Sequence, residues 1–160
     1  MKTRINLYKT PFLFLLVMLC FGAAQAQDDS NLVKDAVAAR QFVFDAQKVL
    51  PTGARARQVS GERYNLRVSG DSLVSYLPYF GRAYSTSYNG ESGIKFTSTD
   101  FDYSVKNTKR GGWEISLRPK DVTDFREFVL TVFENGSAML RALSNNRQPI
   151  SYNGTVVPAK

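Results

Sequence analysis

The stretch Arg63–Leu77, RYNLRVSGDSLVSYL, decides the fold. Tyr64, Leu66 and Val68 alternate with Arg63, Asn65 and Arg67. Period two with one polar face is the mark of an antiparallel strand resting one side on a core. Ser69-Gly70-Asp71 is a tight turn, so Ser72–Leu77 returns as the hairpin partner. That second strand carries apolar residues on both faces, which predicts a central position in the sheet.

The same pattern continues toward the C-terminus. Ile94 and Phe96 alternate with Lys95 and Thr97, and Phe101, Tyr103 and Val105 with Asp102, Ser104 and Lys106. After a turn over residues 107–112, Trp113, Ile115 and Leu117 alternate with Glu114, Ser116 and Arg118. A polar link, KDVTD, leads from Pro119 to a strand over Phe125–Glu134. Asn135-Gly136 is the strongest hairpin signal and predicts a type I′ turn, which needs positive φ at both positions. Ser137–Leu143 returns, and Gln148–Tyr152 closes the chain. No segment recurs at a fixed period.

Toward the N-terminus, QFVFDA (Gln41–Ala46) puts Phe42 and Phe44 on one side of a strand that Pro51 and Gly53 end. Arg55 and Arg57, two apart on a loop or edge, either hold an anion or blunt the sheet edge. Leu32, Val33, Ala36 and Val37 recur at helical spacing, predicting a helix over Asn31–Arg40 capped by Ser30 or Asp29. The fold class is therefore all-β. The reading is an antiparallel meander of about eight or nine strands, barrel or two-layer sandwich, with one short N-terminal helix.

The first 26 residues read as a signal peptide. Lys2, Arg4 and Lys9 form a basic start, Pro11–Phe21 an apolar run of eleven residues, and Ala24-Gln25-Ala26 a small-residue cleavage site. Eleven residues are too few to span a bilayer. Cys20 would anchor a lipoprotein only behind a small residue, and Leu19 precedes it. The expectation is export to the periplasm or the outside, with residues 27–160 as one β-rich domain.

That domain has a net charge of +4 and neither Cys nor His. Thiol and Ser-His-Asp chemistry, disulfides and His/Cys zinc sites are excluded. The basic residues are scattered rather than clustered, so no nucleic-acid partner is expected. No cofactor or metal is expected, and no EF-hand-type loop is present.

Several phrases together, FVFDAQ, YLPYFGRAY, GIKFTSTDFDYS, GGWEI and SNNRQPISYNGTV, resemble the domain-of-unknown-function 4251 family, over roughly Phe42 to Val156. The resemblance implies a small exported bacterial domain. It brings no activity, ligand or catalytic residue.

The candidate surface is the stretch Tyr76–Tyr88, YLPYFGRAYSTSY, with five aromatic residues in thirteen positions. Tyr76, Tyr79, Phe80, Arg82 and Tyr84 are the candidate ligand-binding residues. Aromatic rings with an Arg suit a glycan, a peptide or a lipid headgroup. The competing reading is that the rings plug an open barrel end, with Gly81 allowing the turn. The fate of Arg82 separates the two: free at a cleft it is a ligand group, and paired it is structural.

Asp100 and Asp102 share one face of a strand, about 6.6 Å apart by strand rise. Paired carboxylates at that spacing suit glycoside hydrolysis, and a solvated face uses them equally well. The expectation is a non-catalytic exported domain that binds a ligand or partner such as an envelope glycan, peptide or protein. A carboxylate-dependent glycan hydrolase and a structural or assembly protein of the envelope are the alternatives.

Overall fold

The computed structural model describes residues 23–59, 63–82, 93–109 and 111–159. Among these residues one helix, α1 (Ala23–Ala38), precedes ten strands: β1 (Gln41–Pro51), β2 (Arg57–Gln58), β3 (Asn65–Ser69), β4 (Ser72–Leu77), β5 (Ile94–Ser98), β6 (Phe101–Asn107), β7 (Trp113–Pro119), β8 (Phe125–Val132), β9 (Ser137–Ser144) and β10 (Ile150–Pro158). All pairings are antiparallel, in the order β5-β4-β3-β1-β10-β9-β8-β7-β6, with β2 extending the ladder of β1. The sheet curls into a nearly closed barrel rather than a sandwich.

How it closes follows from counting. Nine strands alternate in direction along the main path, so the two end strands, β5 and β6, run in the same sense. Only Thr99 and Asp100 lie between them. The chain therefore runs on without reversing, pairing first with β4 and then with β7. The link after β7 clamps this junction. The Ser98 hydroxyl donates to the Asp121 carboxylate, the Thr99 amide donates to the same group at 3.0 Å, and the Lys120 amide donates to the Asp100 carbonyl at 2.8 Å.

Alternation fills the interior. Leu66, Val68, Leu73, Leu77, Ile115, Leu117, Phe128, Leu130, Leu140 and Tyr152 are fully or almost fully buried. In β1 the inward set changes parity, from Phe42, Phe44 and Ala46 to Val49, because the register slips between Ala46 and Lys48. Such a bulge bends one strand of a pair and tightens its twist. Gly154 lets β10 come close beside it, since a methyl group there would strike the Asp45 carbonyl.

Three expectations are corrected. The helix spans Ala23–Ala38 rather than starting at Asn31, so Asp29 and Ser30 fall within it and not at its start. Ala23, Ala24 and Ala26 are strong helix formers and carry it upstream. The strand Ser72–Leu77 is second from one end of the sheet, not central. Its inner face accepts Ser75 because that hydroxyl donates to the Ile94 carbonyl at 2.9 Å. The Asn135-Gly136 hairpin is not type I′. Of its loop residues only Gly136 has positive φ, +77°. The Gly136 amide bonds the Phe133 carbonyl, and Phe133 N bonds the Ser137 carbonyl. That is a three-residue loop, a type I turn followed by a left-handed glycine.

Helix α1 packs on β1 and β10 and buries Val33, Ala36 and Val37. The Tyr103 hydroxyl donates to the Val37 carbonyl at 2.8 Å and Arg40 lies over the Tyr103 ring. This stoppers the end at which β1 begins and β10 finishes.

Candidate functional site

The opposite end is stoppered by the first part of the aromatic stretch. Pro78 breaks β4, having no amide to donate to a ladder. Its own carbonyl accepts the Tyr152 hydroxyl at 2.7 Å inside the barrel. Tyr79 then folds back over Gly81, where any side chain would meet its ring. Its hydroxyl lies 2.9 Å from the Arg82 carbonyl and 3.0 Å from the Gln148 carbonyl. Burial pushes the Tyr152 phenol far above its usual range, so it stays protonated and keeps donating.

Arg147 completes this stopper, and sequence reasoning did not single it out. It is 8% exposed, yet charged. The guanidinium lies 5.3 Å from the Tyr79 ring centroid and 5.5 Å from that of Phe125. It donates to the Gly93 carbonyl at 3.2 Å and approaches Asp124 at 3.4 Å. A buried charge is tolerated only when paired and hydrogen-bonded. The local sequence, SNNRQP, reads as a polar turn, because every one of these partners is distant along the chain.

The remaining candidates face outward. Tyr76 is 43% exposed and Phe80 38%. Tyr64 stacks on Tyr76 with centroids 5.5 Å apart, and Lys95 Nζ lies 5.2 Å from the same ring. Arg57 lies 4.6 Å from the Phe80 ring centroid. These groups share one rim. Asn65, next to Tyr64, pairs with Tyr76, which pairs with Lys95; Arg57, in β2, pairs with Val49 of β1, beyond the Asp45–Asn65 pair at which β3 starts. Arg82 is exposed, and among the described residues its guanidinium joins no ion pair. Tyr84, and with it Tyr88, lies outside the described residues. So the structure turns Tyr76, Phe80 and Arg82 toward solvent and uses Tyr79 to hold the barrel end.

Asp100 and Asp102 both reach Lys120, at 3.7 and 2.6 Å, from side chains 67% and 64% exposed. They belong to the junction between β5 and β6. Asp121, read from sequence as part of a polar link, is the clamp of that junction. Its carboxyl is held below the usual range, first by the Ser98 hydroxyl and then by the Thr99 amide. Among the described residues no group of three or more acidic side chains is placed to hold a metal.

At the helix end lies an open groove of about 330 Å³, lined by Leu32, Val33, Gly136 and Val156 among others.

Among curated proteins none matches the chain. Its fold is similar to the crystal structure of a DUF4251 family protein from Bacteroides eggerthii DSM 20697. The TM-score is 0.66 at 20% identity, over 84% of this chain and 91% of that one. Residues 24–156 match the domain of unknown function DUF4251. The match takes in the helix from its second residue, β1 to β9 in full and β10 as far as Val156, and the chain belongs to the DUF4251 family.

Proposed function

We propose that the chain is an exported, non-catalytic domain that holds a ligand or partner on the rim formed by Tyr76, Phe80 and Arg82. One observation carries this reading. In a stretch where Leu77, Pro78 and Tyr79 turn inward or are pinned, Tyr76 and Phe80 remain 43% and 38% exposed. The fold does not need these two rings for its core, and clustered exposed aromatics mark contact surfaces. The export half rests on the basic start, the apolar run and the Ala-Gln-Ala site. A cut after Ala26 shortens α1 to Gln27–Ala38 and keeps Val33, Ala36 and Val37 in place.

The test is binding of the purified protein to fractionated envelope glycans and peptides, with Tyr76→Ser/Phe80→Ser and Arg82→Ala as variants. The reading expects capture by one fraction, lost in the variants at unchanged melting temperature. Capture unaffected by all three substitutions sinks it. Export is tested separately by cell fractionation and N-terminal sequencing of the mature chain.

A further inference from the structure

The charge on this molecule is unevenly placed. Between residues 48 and 95 the sequence has seven bases (Lys48, Arg55, Arg57, Arg63, Arg67, Arg82, Lys95) against three acids (Glu62, Asp71, Glu91), a net of +4. From 96 to 147 eight bases face seven acids, a net of +1. The ion pairs follow the same division. Among the described residues every one joins groups between Asp100 and Arg147, and none involves the seven bases. Bases that join no ion pair among the described residues keep their charge available to an anion.

Two of these bases stand on the aromatic rim, each over its own ring: Arg57 over Phe80 and Lys95 over Tyr76. A cation resting on a ring still has donors turned away from it, and guanidinium suits a planar carboxylate or sulfate. The rings themselves are not bare. Tyr76 carries both Tyr64 and Lys95 as neighbours, so it offers its hydroxyl edge more than an open face. Nucleobases need open faces to stack on. Sugars need hydrogen-bonding edges and apolar shoulders, which this rim supplies beside its charges.

We propose that the rim binds an acidic polysaccharide, one whose sugar units carry carboxylate or sulfate groups. The inference rests on the reading of the rim as a contact surface and names its ligand class. Arg57 and Lys95 meet the anionic groups, and Tyr76 and Phe80 meet the sugar rings.

The experiment is affinity electrophoresis of the full chain against polygalacturonate, dextran and single-stranded DNA, with sulfated dextran as a second acidic probe. The expected result is retardation by at least one acidic polysaccharide and none by dextran. Affinity should weaken about tenfold as salt rises from about 50 to about 300 mM. Arg57→Gln/Lys95→Gln should weaken it about tenfold or more at unchanged melting temperature. Lys106→Gln/Lys109→Gln removes the same charge from exposed positions elsewhere and should leave binding as it is. Equal loss in both double variants overturns the site, since bulk charge then explains the binding. Equal binding of dextran overturns the acidic class while leaving the rim reading intact. Tighter binding of DNA, or no binding to any probe, overturns the proposal; the envelope-fraction experiment still judges the rim.

Discussion

Arg147 lays its guanidinium over the ring of Tyr79, 5.3 Å from the centroid, although 68 positions separate them. The contact ties the segment after β4 to the connection between β9 and β10. It also decides what the aromatic stretch is for. Of its three rings among the described residues, Tyr79 is consumed in closing the barrel, and Tyr76 and Phe80 are left facing solvent.

Arg147→Ala should therefore destabilise the protein without touching the rim. It removes a hydrogen bond to the Gly93 carbonyl and two ring contacts, with Tyr79 and Phe125. The expected cost is about 2–3 kcal/mol, a fall in melting temperature of roughly 6–10 °C at this chain length. Arg147→Lys should recover little, because a point charge does not lie flat between two rings. Thermal unfolding by circular dichroism reads both.

The stretch should separate into two classes under mutation. Tyr79→Phe leaves the ring and deletes the hydroxyl that serves the Arg82 and Gln148 carbonyls, at a cost of about 1 kcal/mol. Tyr76→Ser and Phe80→Ser should each stay within about 0.5 kcal/mol of wild type, as exposed positions do. Urea midpoints that fail to separate in this order would make the whole stretch a plug.

How much of this was legible in the sequence follows from range. The alternation in Leu66, Val68, Leu73 and Leu77 is local, and the faces it predicts are those observed. Pro78 as the end of β4 is equally local. The helix start depends on propensity alone and lies eight residues before the Asn31 that a cap at Ser30 predicts, because Ser30 looks like a cap wherever it stands. β5 and β6 read as two strands because each alternates correctly; nothing local says that no turn lies between them. Arg147 and Asp121 were invisible as key residues. Their partners, Tyr79 and Gly93 for one, Ser98 and Thr99 for the other, become neighbours only when the barrel closes.

The clamp should make stability depend on acid. The Ser98 hydroxyl, then the Thr99 amide, holds the Asp121 carboxyl below the usual range in the folded chain. A depressed folded value contributes stability that is present above the ordinary carboxylate pKa, about 4. That stability is lost as pH falls through the lower folded value. Glu127 acts in the same sense, held down first by the Ser116 hydroxyl. Asp121→Asn should lower the urea midpoint at pH 7, and its curve should converge with wild type as both are acidified below pH 4. Parallel curves would mean that the charge on Asp121 does not matter.

At the helix end the dependence is alkaline. Burial pushes the Tyr103 phenol up to about 12, with Arg40 pulling the other way. A raised folded value contributes stability that is complete below the unfolded pKa of about 10 and is lost as pH rises toward the folded value. Tyr103→Phe should flatten this slope and cost about 1 kcal/mol at neutral pH through the bond to Val37. Ultraviolet titration should show one fewer late-ionising tyrosine in the variant, and Tyr152 should still titrate last.

Gly154 carries the sharpest steric prediction. It sits in β10 opposite Ala46, beside the register slip in β1. A methyl group there would meet the Asp45 carbonyl oxygen, and behind it the Phe44 ring at 3.0 Å. Neither neighbour is a flexible side-chain tip, so the two strands must separate. They form the pair on which α1 also rests, so the damage reaches the helix end of the barrel. Gly154→Ala should cost about 3 kcal/mol or more, in the range of overpacked cores. Gly53→Ala is the control: it has open space around it and should cost only the strain of its positive φ, about 1 kcal/mol. A small effect at Gly154 would mean that β1 and β10 approach less closely than their register implies.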